Sequence, residues 1–137
     1  MDDELMRRRV AESRVAHLAT VRADGSPRVV PCCAALAGDV AYTAVDDVKA
    51  KSTLALHRLD DVRSRGRASL LVDRYDEDWS MLWWVRIDGP AHTIEAGDPA
   101  HRAAVALLVA KYDQYRDRPP PGAVIALRAT TWRAWSA

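Results

Sequence analysis

The residues best suited to chemistry lie in one short stretch, Thr43-Ala44-Val45-Asp46-Asp47-Val48-Lys49-Ala50-Lys51-Ser52-Thr53. Two of the chain's three lysines fall here, against seventeen arginines overall, so lysine stands out from the background. An apolar, strand-like run crosses an acidic turn and enters a helix-like run headed by two hydroxyl residues. Mobile ammonium groups, short hydroxyl donors and the free N–H groups of a helix start together suit a phosphate. The same pattern also reads as a solvated helix start, and local sequence does not separate the two.

Other reactive side chains are less concentrated. Cys32 and Cys33 are adjacent, and neighbours in a strand point to opposite faces, so a disulfide between them is unfavourable and free buried thiols are expected. His17, His57, His92 and His101 are scattered singly, without zinc-ligand spacing, and no metal site is expected. Asp76-Glu77-Asp78 reads as a solvated turn rather than an acid–base pair. Arg28, Arg86, Arg128 and Arg133 fall on strand-like runs, facing solvent or pairing with a carboxylate or a ligand anion. Phenylalanine is absent, yet tryptophan occurs five times. Trp83 and Trp84 must face opposite ways in a strand, so one leaves the core for an interface or a planar ligand. Nucleophile-elbow, zinc-protease, Walker and Rossmann motifs are all missing, and no catalytic side chain stands out.

The elements that must position these groups follow from periodicity and turn chemistry. Leu5, Met6 and Val10 indicate an N-terminal helix, with Arg7, Arg8 and Arg9 solvated. Residues 15–22, 28–36 and 40–45 read as three strands joined at Asp24-Gly25 and Gly38-Asp39, an antiparallel meander. Pro31 cannot donate to a ladder, so the second strand is an edge or is interrupted there. Residues 52–59 form a short helix, and 67–75 and 82–94 two further strands, the latter bent at Gly89-Pro90. Asp98-Pro99 opens a helix, Pro119-Pro120-Pro121-Gly122 ends it, and residues 123–135 form a long last strand. Six strands with inserted helices give a mostly β fold, a small antiparallel barrel decorated by helices.

With 137 residues, 49% hydrophobic and 28% charged, the chain suits one globular domain spanning 1–137. A net charge of +1 gives no global field for nucleic acid or an anionic membrane. The acidic start has no apolar run after it and no stretch is long enough to span a bilayer, so the expected location is cytoplasmic.

In this order the pieces resemble the flavin- and deazaflavin-binding split β-barrel family. Within it they are similar to the actinobacterial PPOX-class F420-dependent oxidoreductases, related to pyridoxamine 5′-phosphate oxidases. The resemblance covers nearly the whole chain. It is carried by His17-Leu18-Ala19-Thr20-Val21 with Asp24-Gly25-Ser26-Pro27, by Val29-Val30-Pro31, and by Tyr42-Thr43-Ala44-Val45-Asp46-Asp47 with Lys49-Ala50-Lys51-Ser52-Thr53. It continues in Ala68-Ser69-Leu70-Leu71-Val72-Asp73, in Tyr75-Asp76-Glu77-Asp78-Trp79, in Leu82-Trp83-Trp84-Val85-Arg86, and in Trp132 and Trp135.

The resemblance implies a six-stranded FMN-binding split barrel and a homodimer with cofactor sites in grooves at the interface. It puts the cofactor phosphate on Lys49, Lys51 and Ser52 with Thr53 adjacent, the tricyclic ring beside Arg28, Val30 and Pro31, and the ribityl chain along Thr43 and Ala44. Trp79 matches a family tryptophan near the site. The implied activity is hydride transfer between reduced F420 and a small unsaturated or planar substrate. An FMN-dependent enzyme and a non-catalytic carrier of F420, flavin or haem are the alternatives. Lys49 and Ser52 replace the family's usual arginine and threonine, which removes a bidentate fork from the phosphate site. Cys33-Ala34 stands where relatives often carry an aromatic residue, which leaves room near the ring.

Overall fold

The structure, a computed structural model, describes residues 1–45 and 53–137, the side chains of 53–56 excepted. Alternation decides which face each strand buries. In β1 (Ala16–Val21), Ala16, Leu18 and Thr20 point inward, and in β5 (Arg67–Arg74) Ala68, Leu70 and Val72 do the same. β6 (Trp83–Ile94) adds Val85 and Ile87, and β7 (Val124–Arg128) adds Ile125 and Leu127. These side chains form one interior cluster, closed at its ends by Val10 from α1 (Asp3–Glu12) and by Leu59 and Val62 from α2 (Thr53–Arg65).

β7 is buried on both faces, because Val124 and Ala126 turn outward under α3 (Pro99–Lys111). There they meet Leu108, Tyr112 and Tyr115, the last from the short α4 (Gln114–Asp117). Fully burying a leucine such as Leu108 contributes about 1.5–3 kcal/mol, so α3 is fixed by this second, smaller core. The helix starts where Asp98 accepts the Ala100 N–H at 2.8 Å, with Pro99 in the first turn.

With β2 (Pro27–Cys32), β3 (Ala35–Ala37), β4 (Val40–Ala44) and β8 (Thr131–Ser136), the strands hydrogen-bond in the order β2-β1-β5-β6-β7-β4-β3, with β8 beside β6. All pairings among the described residues are antiparallel. β2 and β3 lie at opposite ends of this order yet are joined through Cys33 and Ala34. Two sheet edges can be consecutive in the chain only if the sheet curls until they meet. The result is a barrel with a split between β2 and β4. The mostly β split barrel is thus present, and Pro31 sits on an edge strand as its missing N–H requires.

The strand count is eight rather than six, because two of the expected runs break. Residues 28–36 divide at Cys33-Ala34, where the chain leaves β1 for β4. The ladder there is replaced by side chains. Tyr112 Oη accepts the Ala34 N–H at 3.0 Å, and Lys111 Nζ donates to Ala34 O at 2.5 Å. Residues 123–135 divide at Ala129-Thr130, opposite Gly89 of β6. A Cβ on Gly89 would lie 1.9 Å from Arg128 O, so only glycine lets the kinked strand pass. At this point β6 changes neighbour, pairing β8 before it and β7 after it.

Two further expectations need correction. α2 extends six residues beyond Leu59, to Arg65, because Gly66 at φ +65° closes it by donating its N–H to Val62 O at 2.8 Å. Arg7 and Arg9 are not simply solvated. Arg7 pairs with Asp3 and Asp39 at 2.8 and 2.6 Å and stacks over Trp132, while Arg9 covers Trp83. Burial lowers the Arg9 pKa, with Arg8 adding repulsion. Among the described residues no helix is long and apolar enough to cross a membrane.

Candidate functional site

The split of the barrel gathers most of the residues singled out from sequence. On β2, Arg28, Val30 and Cys32 form the half-buried inward row, while Val29 is 63% exposed and Pro31 also faces out. Among the described residues β2 pairs only with β1, so its other side carries backbone groups outside that ladder. Arg28 resolves between its alternatives in favour of a protein carboxylate. Its Nε donates to Asp61 Oδ2 at 2.7 Å, and the same oxygen accepts Thr20 Oγ1 at 2.8 Å. Asp61 is 5% exposed. A buried carboxylate is tolerated only with such partners, and this pair fastens α2 to β1 and β2.

One turn before Asp61, at i−3, Arg58 occupies the same side of α2, near enough for its charge to act on Cys32. Its Nε is buried and finds no hydrogen-bond partner among the described residues. Across the split, on β4, Thr43 is 4% exposed, and its Oγ1, beside the Cys32 thiol, makes no hydrogen bond of ordinary geometry among the described residues. Cys32 shares this neighbourhood. Burial pushes its thiol pKa up, against the lowering effects of the Thr43 side chain and the Arg58 charge. Native interiors rarely leave buried polar atoms without partners, and each one costs about 1–3 kcal/mol. Two such donors on either side of the gap fit a ligand that brings oxygen atoms into it.

Ala44, buried next to Thr43, faces the second core instead. Thr53 is the first residue of α2. Lys49, Lys51 and Ser52 lie outside the described residues. Trp79 stands in a 3-10 turn (Trp79–Met81) beyond the end of β5, with β1 between β5 and β2, and is 68% exposed. Asp78 caps that turn by accepting from Ser80 N and Oγ at 3.0 and 2.6 Å, which gives the acidic run a structural task.

Near the β2–β3 corner, Cys32 and Cys33 are free thiols. Lys111 is half-buried there, and burial first and Arg14 second push its pKa down to about 8. Among the described residues no three His, Cys, Asp or Glu side chains are grouped to hold a metal ion.

A second feature lies on the outer face of β5, β6 and β8. Trp84 and Trp135 are register partners there, and with Tyr75, Trp83, Leu71 and Arg86 they line a groove of about 380 Å³. Trp84 is thus the tryptophan of the adjacent pair that leaves the core, while Trp83 packs toward it beneath Arg9.

Sequence reasoning missed Asp61, Arg58, Lys111 and Tyr112. Asp61 carried a usable signal: an acidic residue between Leu59 and Val62 on an inward helix face needs a partner, and Arg28 on a strand was available. Nothing local marked Lys111 or Tyr112, whose partner is a backbone corner 77 or 78 residues away.

The fold has close counterparts among solved structures. A conserved hypothetical protein from Mycobacterium tuberculosis superposes with a TM-score of 0.78 at 22% identity, over 99% of this chain and 85% of that one. A protein described as FAD-binding, from Mesorhizobium loti, gives 0.72 at 18% identity over 98% and 94%. The heme storage protein HutZ from Vibrio cholerae gives 0.74 at 13% identity over 98% and 93%. No curated protein sequence matches the chain. The family model described as pyridoxamine 5′-phosphate oxidase matches residues 2–136, so this chain, with its curled sheet and its split between β2 and β4, belongs to the pyridoxamine 5′-phosphate oxidase family.

Proposed function

We propose that the protein is an F420-dependent oxidoreductase that holds the deazaflavin in the split of the barrel and acts on a small unsaturated or planar substrate. The observation that carries this reading is the pair of unpaired buried donors, Thr43 Oγ1 and Arg58 Nε, on the two walls of the split. They fit the oxygen-rich side chain of a flavin-type cofactor. The strand that bears Thr43 leads into the Lys49-Ala50-Lys51-Ser52 segment, whose residue types suit its phosphate.

When bound, the deazaflavin ring supplies the hydride chemistry. The chain's own residues do the rest. Lys49, Lys51 and Ser52 anchor the phosphate, and Thr43 orients the polyol. The exposed edge of β2 at Val30 and Pro31 fixes one margin of the ring. Arg28, held by Asp61, keeps that edge in place rather than contacting phosphate itself. No side chain need act as an obligatory acid or base.

The reading includes a homodimer. Val29, Tyr75, Trp79 and Trp135 are exposed on or beside the outer face of the sheet, an apolar area that suits a second copy of the chain. Trp79 would then approach the partner's cofactor. An FMN-dependent enzyme on the same barrel, or a carrier of flavin or haem, is the second reading, favoured by solved counterparts described as FAD-binding and heme storage proteins.

Titration of the purified protein with F420 and with FMN, followed by cofactor fluorescence, tests the proposal. The expected result is F420 binding at low-micromolar affinity or tighter. FMN binding with no F420 response would replace the cofactor assignment, and binding of neither would remove the reading.

A further inference from the structure

Arg58 has no place in the sequence-based site, yet the fold brings it to the split. Asp61 fixes the rotation of α2, because its Oδ2 is taken by both Arg28 Nε and Thr20 Oγ1. With Asp61 on Arg28, the residue one turn earlier lies on the same helix face, where its charge acts on Cys32 at the end of the inward row of β2. That residue is Arg58. Its stem is half-buried, its Nε is buried, and no acceptor among the described residues meets it. The opposite wall offers Thr43 Oγ1, also buried and also unpaired.

A guanidinium N–H can only donate, and a hydroxyl can donate or accept. One acceptor atom between them satisfies both, and its type is constrained. A cation is excluded by Arg58, and an apolar group would leave both donors unsatisfied. An oxygen that is negatively charged, or a hydroxyl that accepts from Arg58 and donates to Thr43, meets the requirement.

We infer that Arg58 and Thr43 form an internal oxygen-binding clamp, in which α2 contributes a guanidinium to the polyol–phosphate arm of the bound cofactor from inside the barrel. The inference rests on the cofactor reading above and adds a residue to it. In this arrangement the buried Asp61–Arg28 pair is a positioning device: it sets the helix so that Arg58, rather than an apolar neighbour, faces the gap. The unsatisfied donors of the free protein store a cost that the ligand relieves. The same two groups therefore lower the stability of the free protein and raise its affinity for ligand.

That opposition makes the test specific. Thr43→Val is isosteric and removes only the hydroxyl, while Arg58→Met keeps the apolar stem and removes the guanidinium. For wild type and both variants, the melting temperature without ligand and the affinity for F420 and FMN are measured together. The clamp predicts that Thr43→Val melts at the same temperature as wild type or higher, yet binds the cofactor at least tenfold more weakly, with a smaller ligand-induced rise in melting temperature. Arg58→Met should lose at least as much affinity. Should Arg58→Met fail to fold, Thr43→Val decides alone. Wild-type binding matched by both folded variants would overturn the clamp and leave the cofactor reading standing. A wild type that binds neither cofactor would overturn that reading and the clamp with it.

Discussion

The split beneath α2 and the outer face of β5, β6 and β8 both leave part of the sheet uncovered, but they do so with opposite chemistry. In the split the residues are buried, small or polar, and two donors, Thr43 Oγ1 and Arg58 Nε, have no partner among the described residues. On the outer face the residues are large and half-exposed, and Arg86 is paired with a carboxylate. Arg86 Nε lies 3.0 Å from Asp88, which also accepts Ser69 Oγ at 2.5 Å. Unsatisfied buried polarity calls for a ligand of definite geometry, because each missing hydrogen bond has a direction. Exposed aromatic area calls for coverage and is less demanding about shape, as in the contact between two subunits. On the proposed reading the two surfaces therefore take different partners: a cofactor for the first and a second copy of the chain for the second.

The contrast can be broken at four points of decreasing effect. Gly89 joins the two regions, since β6 pairs β8 on one side of it and β7 on the other. Gly89→Ala drives a methyl group into the Arg128 carbonyl, with backbone on both sides of the clash. The expected cost exceeds about 4 kcal/mol, most of the stability of an ordinary domain, so the variant should be largely unfolded by circular dichroism at room temperature. A cooperative melt near that of wild type would contradict the close approach.

Asp61→Ala acts on the split alone. It leaves the Arg28 charge nearly buried without its carboxylate, and urea unfolding should show a loss of about 3 kcal/mol. A loss below about 1 kcal/mol would mean that solvent reaches Arg28 and that α2 is held by other contacts. Trp135→Ala acts on the outer face alone. Trp135 is 47% exposed, so monomer stability should change by less than about 1 kcal/mol. Dimer dissociation measured by sedimentation should rise about tenfold or more. The reverse pattern, a large stability loss with unchanged association, would make this face part of the core.

The smallest effect concerns Lys111, which braces the β2–β3 corner through Ala34 O. Its pKa stands at about 8 in the folded protein against an ordinary 10.5. Between these values the unfolded chain binds the proton that the folded chain has released, so this lysine's contribution to stability rises with pH. The stability difference between wild type and Lys111→Met should therefore shift in favour of wild type from about pH 8 to about 10.5. Solvent screening of a half-exposed amine limits the shift to about 1 kcal/mol. A difference that stays flat would show that the ammonium remains fully hydrated at the corner.

The sequence carried the parts of the fold that rest on local rules. Asp98-Pro99 starts a helix because a carboxylate and a ring without N–H suit its first turn, and Pro31 marks an edge because it has no N–H to donate to a ladder. Gly89-Pro90 lies where β6 changes from pairing β8 to pairing β7. The breaks at Cys33-Ala34 and Ala129-Thr130 were not visible, because both are decided by distant partners, Tyr112 with Lys111 in one case and Gly89 in the other. Residues 28–36 and 123–135 each look like one strand when only their own side chains are read. The same limit applied at the site. Thr43 was singled out through its neighbours along the chain and is a proposal still, whereas Arg58 enters that proposal only once Asp61 is seen to seat on Arg28 and so fix the rotation of α2.

The most direct test of the account is a crystal structure of the protein with F420 bound. The account predicts that the polyol–phosphate arm enters the split, with oxygen atoms within hydrogen-bonding distance of Thr43 Oγ1 and Arg58 Nε and the ring against the β2 edge at Val30 and Pro31. A cofactor seated in the groove between Trp84 and Trp135, with Thr43 and Arg58 still unpaired, would contradict it.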